Sequence, residues 1–164
     1  MSHPFDQLPL DTGASFLFTP CPGTKTEDLQ NSLQTLKAAG ATTVVTALPD
    51  EDMQALNVPE LGKAVRDAGL DWFHLPIEDD AAPEQPFFAA FETALPRLLK
   101  KISAGETIAI HCRGGAGRTG LIAAILMLES GIDIDRVIAK VQAVRPVALT
   151  PPAQAAFLKS RYGL

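Results

Sequence analysis

Between an apolar run ending Thr107-Ile108-Ala109-Ile110 and a helix-like run from Leu121 to Leu128 lie His111-Cys112-Arg113-Gly114-Gly115-Ala116-Gly117-Arg118-Thr119-Gly120. A strand, a glycine-rich turn and a helix in that order bring the backbone N–H groups of the turn and the first helical turn to one point, which suits an anion. Cys112 stands at the entrance of this turn. Unpaired N–H groups, the positive end of the helix and a nearby guanidinium all lower a thiol's pKa, so Cys112 is expected as a thiolate nucleophile at neutral pH. Arg118, six positions on, can fold back and offer a planar fork of donors to two oxygens of a tetrahedral anion. The glycines at 114, 115 and 117, with Ala116, leave the cradle free of bulky side chains, and Arg113 adds a cation to it. Thr119 sets a hydroxyl where it can cap the helix or reach the sulfur.

The order His, Cys, five residues, Arg, Thr resembles the signature of the protein tyrosine and dual-specificity phosphatases. The spacing separates it from its neighbours. Rhodanese-like sulfurtransferases use a loop one residue shorter, a nucleotide-binding loop of the G-x-x-x-x-G-K-[ST] kind needs a lysine, and none occurs between Lys101 and Lys140. No C-x-x-C or H-x-x-x-H spacing accompanies His111 and Cys112, so no metal ligand set is expected, and no cofactor is called for.

A thiolate that attacks a phosphomonoester expels an alkoxide or phenoxide, which needs a proton from an acid on a facing loop. Asp79 and Asp80 lie in Pro76-Ile77-Glu78-Asp79-Asp80-Ala81-Ala82-Pro83, after another strand, and either carboxyl could reach. The stretch Phe73-His74-Leu75-Pro76-Ile77-Glu78-Asp79 is similar to kinase-associated phosphatases of the cyclin-dependent kinase inhibitor 3 type. There the aspartate three residues after the proline is the acid, so the resemblance selects Asp79 and leaves Asp80 in reserve. Pro22-Gly23-x-Lys25, Leu36-Lys37-x-x-Gly40, Val58-Pro59-x-Leu61 and Ala68-Gly69-Leu70 extend the likeness over roughly 20–160. Gln154 resembles the glutamine that helps place the hydrolytic water in tyrosine phosphatases. His111 is either a group that orders the loop and tunes the thiol or a buried histidine satisfied by backbone, and His74 is expected to be structural. The chain has no segment like the lysine-asparagine-arginine-tyrosine loop that clamps phosphotyrosine in larger tyrosine phosphatases, which argues against strict phosphotyrosine selectivity.

Composition bounds the remainder. With 164 residues, 46% of them apolar, the chain is expected to form one domain over 1–164 with a single core. No apolar run approaches a membrane span and no secretory leader is visible, so the expectation is a cytoplasmic protein without stable membrane association. A formal charge of −5, with scattered lysines and arginines, argues against nucleic acid as a partner. No feature encodes the oligomeric state; a monomer is the default. Cys21 is either an idle packed thiol or a resolving partner for oxidised Cys112.

The elements that must position these groups follow from periodicity. Residues 1–13 are expected as an extended arm, then a strand at Ser15–Thr19. Thr24 or Thr26 would cap a helix over about 26–39, with Leu29, Leu33 and Leu36 on one face. A doubly buried strand spans Thr42–Leu48, a small helix about 50–55, a longer one about 59–68, and a strand Asp71–Leu75. The acidic loop follows, then a helix over about 86–103 that must bend or break at Pro96. A strand at 107–111, the anion loop and helices at about 118–130, 133–144 and 150–161 complete the chain. Alternation of this kind predicts an α/β fold, a central mostly parallel sheet of four to five strands flanked by helices, with the active loop at the carboxyl end of a central strand. A dual-specificity-phosphatase-like domain is what the resemblance implies. The expected function is phosphomonoester hydrolysis on phosphotyrosine or mixed phosphoprotein substrates through a phosphocysteine. Alternatives are a phosphoinositide phosphatase, a non-hydrolytic phosphoprotein-binding module or a thiol-based arsenate reductase. Arg113 as the only extra cation in the loop suggests substrates with few phosphates.

Overall fold

The structure, a computed structural model, describes residues 2–163. Among them, in chain order, are β1 (Asp6–Pro9), β2 (Ser15–Thr19), α1 (Leu29–Ala38), β3 (Ala41–Thr46), α2 (Asp50–Ala55), α3 (Leu61–Asp67), β4 (Asp71–His74), α4 (Gln85–Ser103), β5 (Thr107–His111), α5 (Gly117–Glu129), α6 (Ile134–Val144) and α7 (Pro152–Tyr162). The strands form one sheet in the order β1-β2-β5-β3-β4. β5 sits in the middle, parallel to β2 on one side and to β3 on the other, and β3 pairs parallel with β4. This is the expected α/β architecture, with the Cys112 loop leaving the carboxyl end of the central strand. Parallel strands need crossover connections that cover both faces, so their side chains are apolar on each side. Accordingly Phe16, Phe18, Val44, Val45, Ile108 and Ile110 are all fully buried.

The expected arm over residues 1–13 is corrected in one respect: Asp6–Pro9 is a strand, paired antiparallel with β2 from Asp6 opposite Phe18 to Pro9 opposite Ser15. The alternation is short and ends in a proline, which suits an edge strand whose outer N–H groups need no ladder partner. Leu8 is its buried residue, against exposed neighbours. The cap of α1 is also corrected. Neither Thr24 nor Thr26 fills it; Asp28 does, accepting a hydrogen bond from the Asn31 N–H at 2.8 Å. A carboxylate at a helix N-terminus also meets the dipole favourably. β3 stops at Thr46 rather than at residue 48, because Pro49 opens α2. α4 runs through Pro96 without a break; Pro96 and Glu92, whose carbonyl loses its donor, are both on the exposed side.

α5 is apolar almost all round, with Arg118 through Met127 buried, as a helix must be when other elements enclose it. The close packing depends on Gly120. A Cβ built there would lie 2.6 Å from the Ala148 Cβ and 3.2 Å from Val141 Cγ1. The missing side chain lets α6 and the turn after it lie directly on the first turn of α5, beside the Cys112 loop. Gly120→Ala should therefore lower the free energy of urea unfolding by about 1–3 kcal/mol, the usual cost of overpacking a tight contact.

Candidate active site

His111 ends β5 at Cys112, and the loop's shape can be read peptide by peptide. The Cys112 carbonyl accepts from His111 Nδ1 at 3.0 Å. The Arg113 carbonyl accepts from the Cys21 N–H at 3.0 Å, and the Ala116 carbonyl from the Gly120 N–H at 2.7 Å. The Gly115 carbonyl accepts from Arg145 Nε at 3.0 Å. A trans peptide is planar, with its C=O and N–H pointing opposite ways. Each carbonyl held outward therefore turns the next N–H, of Arg113, Gly114, Ala116 and Gly117, to the concave side. Gly115 has φ +79°, and a Cβ there would come within 2.5 Å of the Thr19 carbonyl. No other residue fits without moving β2's end.

Cys112 is 4% exposed. Burial opposes its ionisation and is the largest single influence. The Thr119 hydroxyl, the N–H groups of Thr119 and Gly115, and the Arg118 guanidinium act the other way and together prevail, so the thiol lies below its ordinary value. Thr119 Oγ1 stands 3.2 Å from the sulfur; of its two expected uses, the hydroxyl serves the sulfur and α5 has no side-chain cap.

His111 is fully buried, and its hydrogen bonds define its tautomer. A carbonyl only accepts, so Nδ1 carries the proton and Nε2 accepts from Thr46 Oγ1 at 2.7 Å. Thr46 in turn accepts from Trp72 Nε1 at 2.8 Å. The chain Trp72, Thr46, His111, Cys112 is satisfied with a neutral ring. Burial, opposed by the Cys112 carbonyl but reinforced by His3, His74 and Arg118, holds His111 down at about 4. His74 bonds the Leu48 carbonyl at 2.6 Å.

Arg118, 4% exposed, crosses to the opposite wall. Its Nη1 donates to Asp52 Oδ2 at 3.2 Å and to the Ile77 carbonyl at 3.0 Å, while Nη2 lies 3.8 Å from Asp79 Oδ1. Nε is buried without a protein partner. The two nitrogens of the guanidinium's other edge, Nε and Nη2, are thus left for bidentate contact with an anion. Asp52 was not among the residues expected here. Only its place in the acidic Pro49-Asp50-Glu51-Asp52 run hints at it.

The acidic loop is pinned on both flanks. Leu75 and Ile77 donate to Thr46 and Ala47 carbonyls, extending the pairing past β4, and Ala81 N–H closes a turn onto the Glu78 carbonyl. Arg118 holds Ile77; Gln154 Nε2 holds the Ala81 carbonyl at 3.2 Å. Gln154 is fully buried and its Oε1 has no protein partner. At the tip, Asp79 faces Arg118, whereas Asp80 takes the left-handed region at φ 59° and forms no ion pair among the described residues. Leu48, Asp52, Ala55, Leu56, Asp79, Arg113 and Arg118 line a cleft of about 230 Å³. Cys21 lies at the loop's back; burial first, then the charge at Cys112, pushes its thiol up to about 12.

The chain matches the family model described as "Swiss Army Knife protein, DSP-PTPase phosphatase domain" over residues 21–160. It is 32% identical over 93 residues to the tyrosine-protein phosphatase CDC14 of Saccharomyces cerevisiae, covering 56% of this chain and 16% of that protein. It is 30% identical over 111 residues to human cyclin-dependent kinase inhibitor 3, covering 65% and 51% respectively. The chain thus spans about half or less of the length of these relatives. Among solved structures, kinase associated phosphatase with its catalytic-site cysteine replaced by serine superposes with a TM-score of 0.83, at 22% identity, over 98% of this chain and 95% of that one. PTPMT1 gives 0.66 at 18% identity, over 94% and 92%. At such identities the structural likeness concerns the fold.

Because the native state keeps His111 near 4 while an unfolded histidine titrates near 6.5, the unfolded chain takes up the proton first on acidification. Stability from this group is full above about pH 6.5 and is lost as the pH falls towards about 4, by up to about 3 kcal/mol. Urea unfolding at pH 7 and pH 4.5 should show that loss, and His111→Gln should flatten the difference.

Proposed function

The chain belongs to the DSP-PTPase phosphatase domain family, and from that membership we propose that it is a cysteine-dependent phosphomonoester hydrolase acting on phosphorylated protein side chains. The observation that carries this reading is the constellation around one sulfur: Thr119 Oγ1 at 3.2 Å, two backbone donors, and a buried guanidinium whose Nε has no protein partner. Cys112 attacks phosphorus and forms a phosphocysteine. The N–H groups of Arg113, Gly114, Ala116 and Gly117, with Arg118, hold the equatorial oxygens, where preorganised donors act most strongly on developing charge. Asp79 gives its proton to the leaving oxygen and then, as a carboxylate, draws one from the attacking water. Gln154 Oε1, lacking a protein donor, can accept from that water. Asp80 serves as the hinge side of the turn rather than as the acid.

Singly phosphorylated substrates fit the cleft best. Arg113 is its one exposed cation besides the buried Arg118, and Asp52 and Asp79 stand opposite, so a polyphosphorylated headgroup would meet more repulsion than a phosphotyrosine or phosphothreonine side chain. A nucleophile that works only when reduced supports a cytoplasmic setting. No helix among the described residues is long and apolar enough to cross a membrane.

Turnover of p-nitrophenyl phosphate tests the reading. Cys112→Ser should abolish it and EDTA should leave it unchanged; turnover that persists in Cys112→Ser removes the mechanism. With a phosphopeptide, whose leaving group is poor, Asp79→Asn should lower kcat by about 10²-fold and Asp80→Asn by less than about threefold. A kcat/KM comparison of mono-phosphorylated peptides with inositol phosphates should favour the peptides.

A further inference from the structure

We propose that Arg145 is a positioning residue for the Cys112 loop, kept in place by Asp6 of the N-terminal strand, so that β1 is a working part of the anion site. This rests on the reading of that loop as an anion-binding nucleophile. Arg145 follows α6 and stops it, with extended backbone before Pro146. Its guanidinium is engaged on every side. Nε donates to the Gly115 carbonyl at 3.0 Å, Nη1 to Asp6 Oδ2 at 2.7 Å and the Val144 carbonyl at 3.0 Å, and Nη2 to the Phe18 carbonyl at 3.4 Å. The cation also lies 5.9 Å from the Phe18 ring centre. One side chain thereby joins the loop, the end of β2 and the edge strand.

What that joint does follows from the peptide it holds. Gly115 is, with Thr119, one of two residues whose N–H donates to Cys112. Its carbonyl, drawn outward by Arg145, turns the Ala116 N–H inward. The peptides on either side of the Gly115 Cα are thus set by two contacts, one to the sulfur and one to Arg145. At φ +79°, with Thr19 and Pro20 backbone occupying the place of a Cβ, Gly115 has no side chain of its own to anchor it. The guanidinium is that anchor. Asp6 in turn restrains the guanidinium from the far side, and a second pair, Arg136 with Asp11 at 3.0 Å, ties α6 to the same arm. His3 supports the pad beneath: its Nε2 lies 2.7 Å from Thr19 Oγ1 and 3.0 Å from the Pro20 carbonyl.

Two readouts that do not depend on turnover test the proposal in the full chain: the rate of Cys112 alkylation by iodoacetate at pH 6, and its protection by inorganic phosphate. Arg145→Met should slow alkylation about fivefold and raise the phosphate concentration for half-protection about tenfold, as loss of one charge-assisted hydrogen bond would. Arg145→Lys, which keeps the charge and a donor, should recover part of both. Asp6→Asn, at a side chain 63% exposed and remote from the core, should shift both in the same direction by about two- to threefold. Unchanged alkylation and protection in a folded Arg145→Met overturns the proposal, as does the absence of any recovery in Arg145→Lys. Should Arg145→Met fail to fold, an unchanged Asp6→Asn overturns it instead. Failure of the phosphatase reading looks different: the unsubstituted protein would alkylate and be protected by phosphate yet turn nothing over.

Discussion

Cys112, 4% exposed yet with its thiol pKa below the ordinary value, is the constraint to which the surrounding structure answers. Burying an unpaired anion is expensive, so a site of this kind exists only where dipoles and hydrogen-bond donors outweigh the lost hydration. Here no single donor suffices. The Thr119 hydroxyl, two N–H groups and Arg118 share the task. The carbonyls that must face away are tied to His111, Cys21, Arg145 and the first turn of α5. The N–H groups that follow these four carbonyls face inward because the carbonyls themselves are engaged outward.

The same logic explains why Arg118 is held by the far wall rather than by its own loop. Nη1 donates to Asp52 and the Ile77 carbonyl, which orients the guanidinium plane and leaves Nε without a protein partner. Neither acid is deeply buried: Asp52 is 39% and Asp79 80% exposed. Solvent screens both, so they steer the guanidinium without neutralising it. Through Ile77 the arginine also fixes one flank of the turn that carries Asp79, and Gln154 fixes the other at Ala81. Asp79, proposed as the acid, and Arg118, proposed to bind the anion, are therefore positioned by one connected set of contacts.

Much of this was legible in the sequence where the information is local. Cys112, Arg118 and Thr119 lie within a single strand-turn-helix, and the apolar runs around them define β5 and α5 without help from elsewhere. The helices at 50–55 and 133–144 were likewise readable, since Pro49 and Asp133 mark their starts. What stayed hidden depends on partners far along the chain. Asp52 and Arg118 are 66 positions apart, Gly115 and Arg145 thirty, and no periodicity links them. β1 is four residues ending in proline, a strand only because β2 lies beside it. At α1 two threonines and an aspartate all satisfy the capping preference; the choice of Asp28 rests on where the turn after Gly23 delivers the chain, since Gly23 packs on Leu29 and Val58.

β1 shows how one element can meet two demands. A parallel sheet that ended at β2 would present a row of unpaired N–H and C=O groups beside the Cys112 loop, an edge open to other strands. An antiparallel strand closes it. Its exposed positions are then free to carry polar groups, and Asp6, opposite Phe18 in the register, falls where Arg145 passes over the Phe18 ring. The register that covers the edge is the register that places the carboxylate. Gly120 completes the geometry from the other side, since without its close contact to Ala148 the turn bearing Arg145 could not lie against the loop. Edge protection, helix packing and anion binding thus meet at one guanidinium, and a change to any of the three is felt at the sulfur.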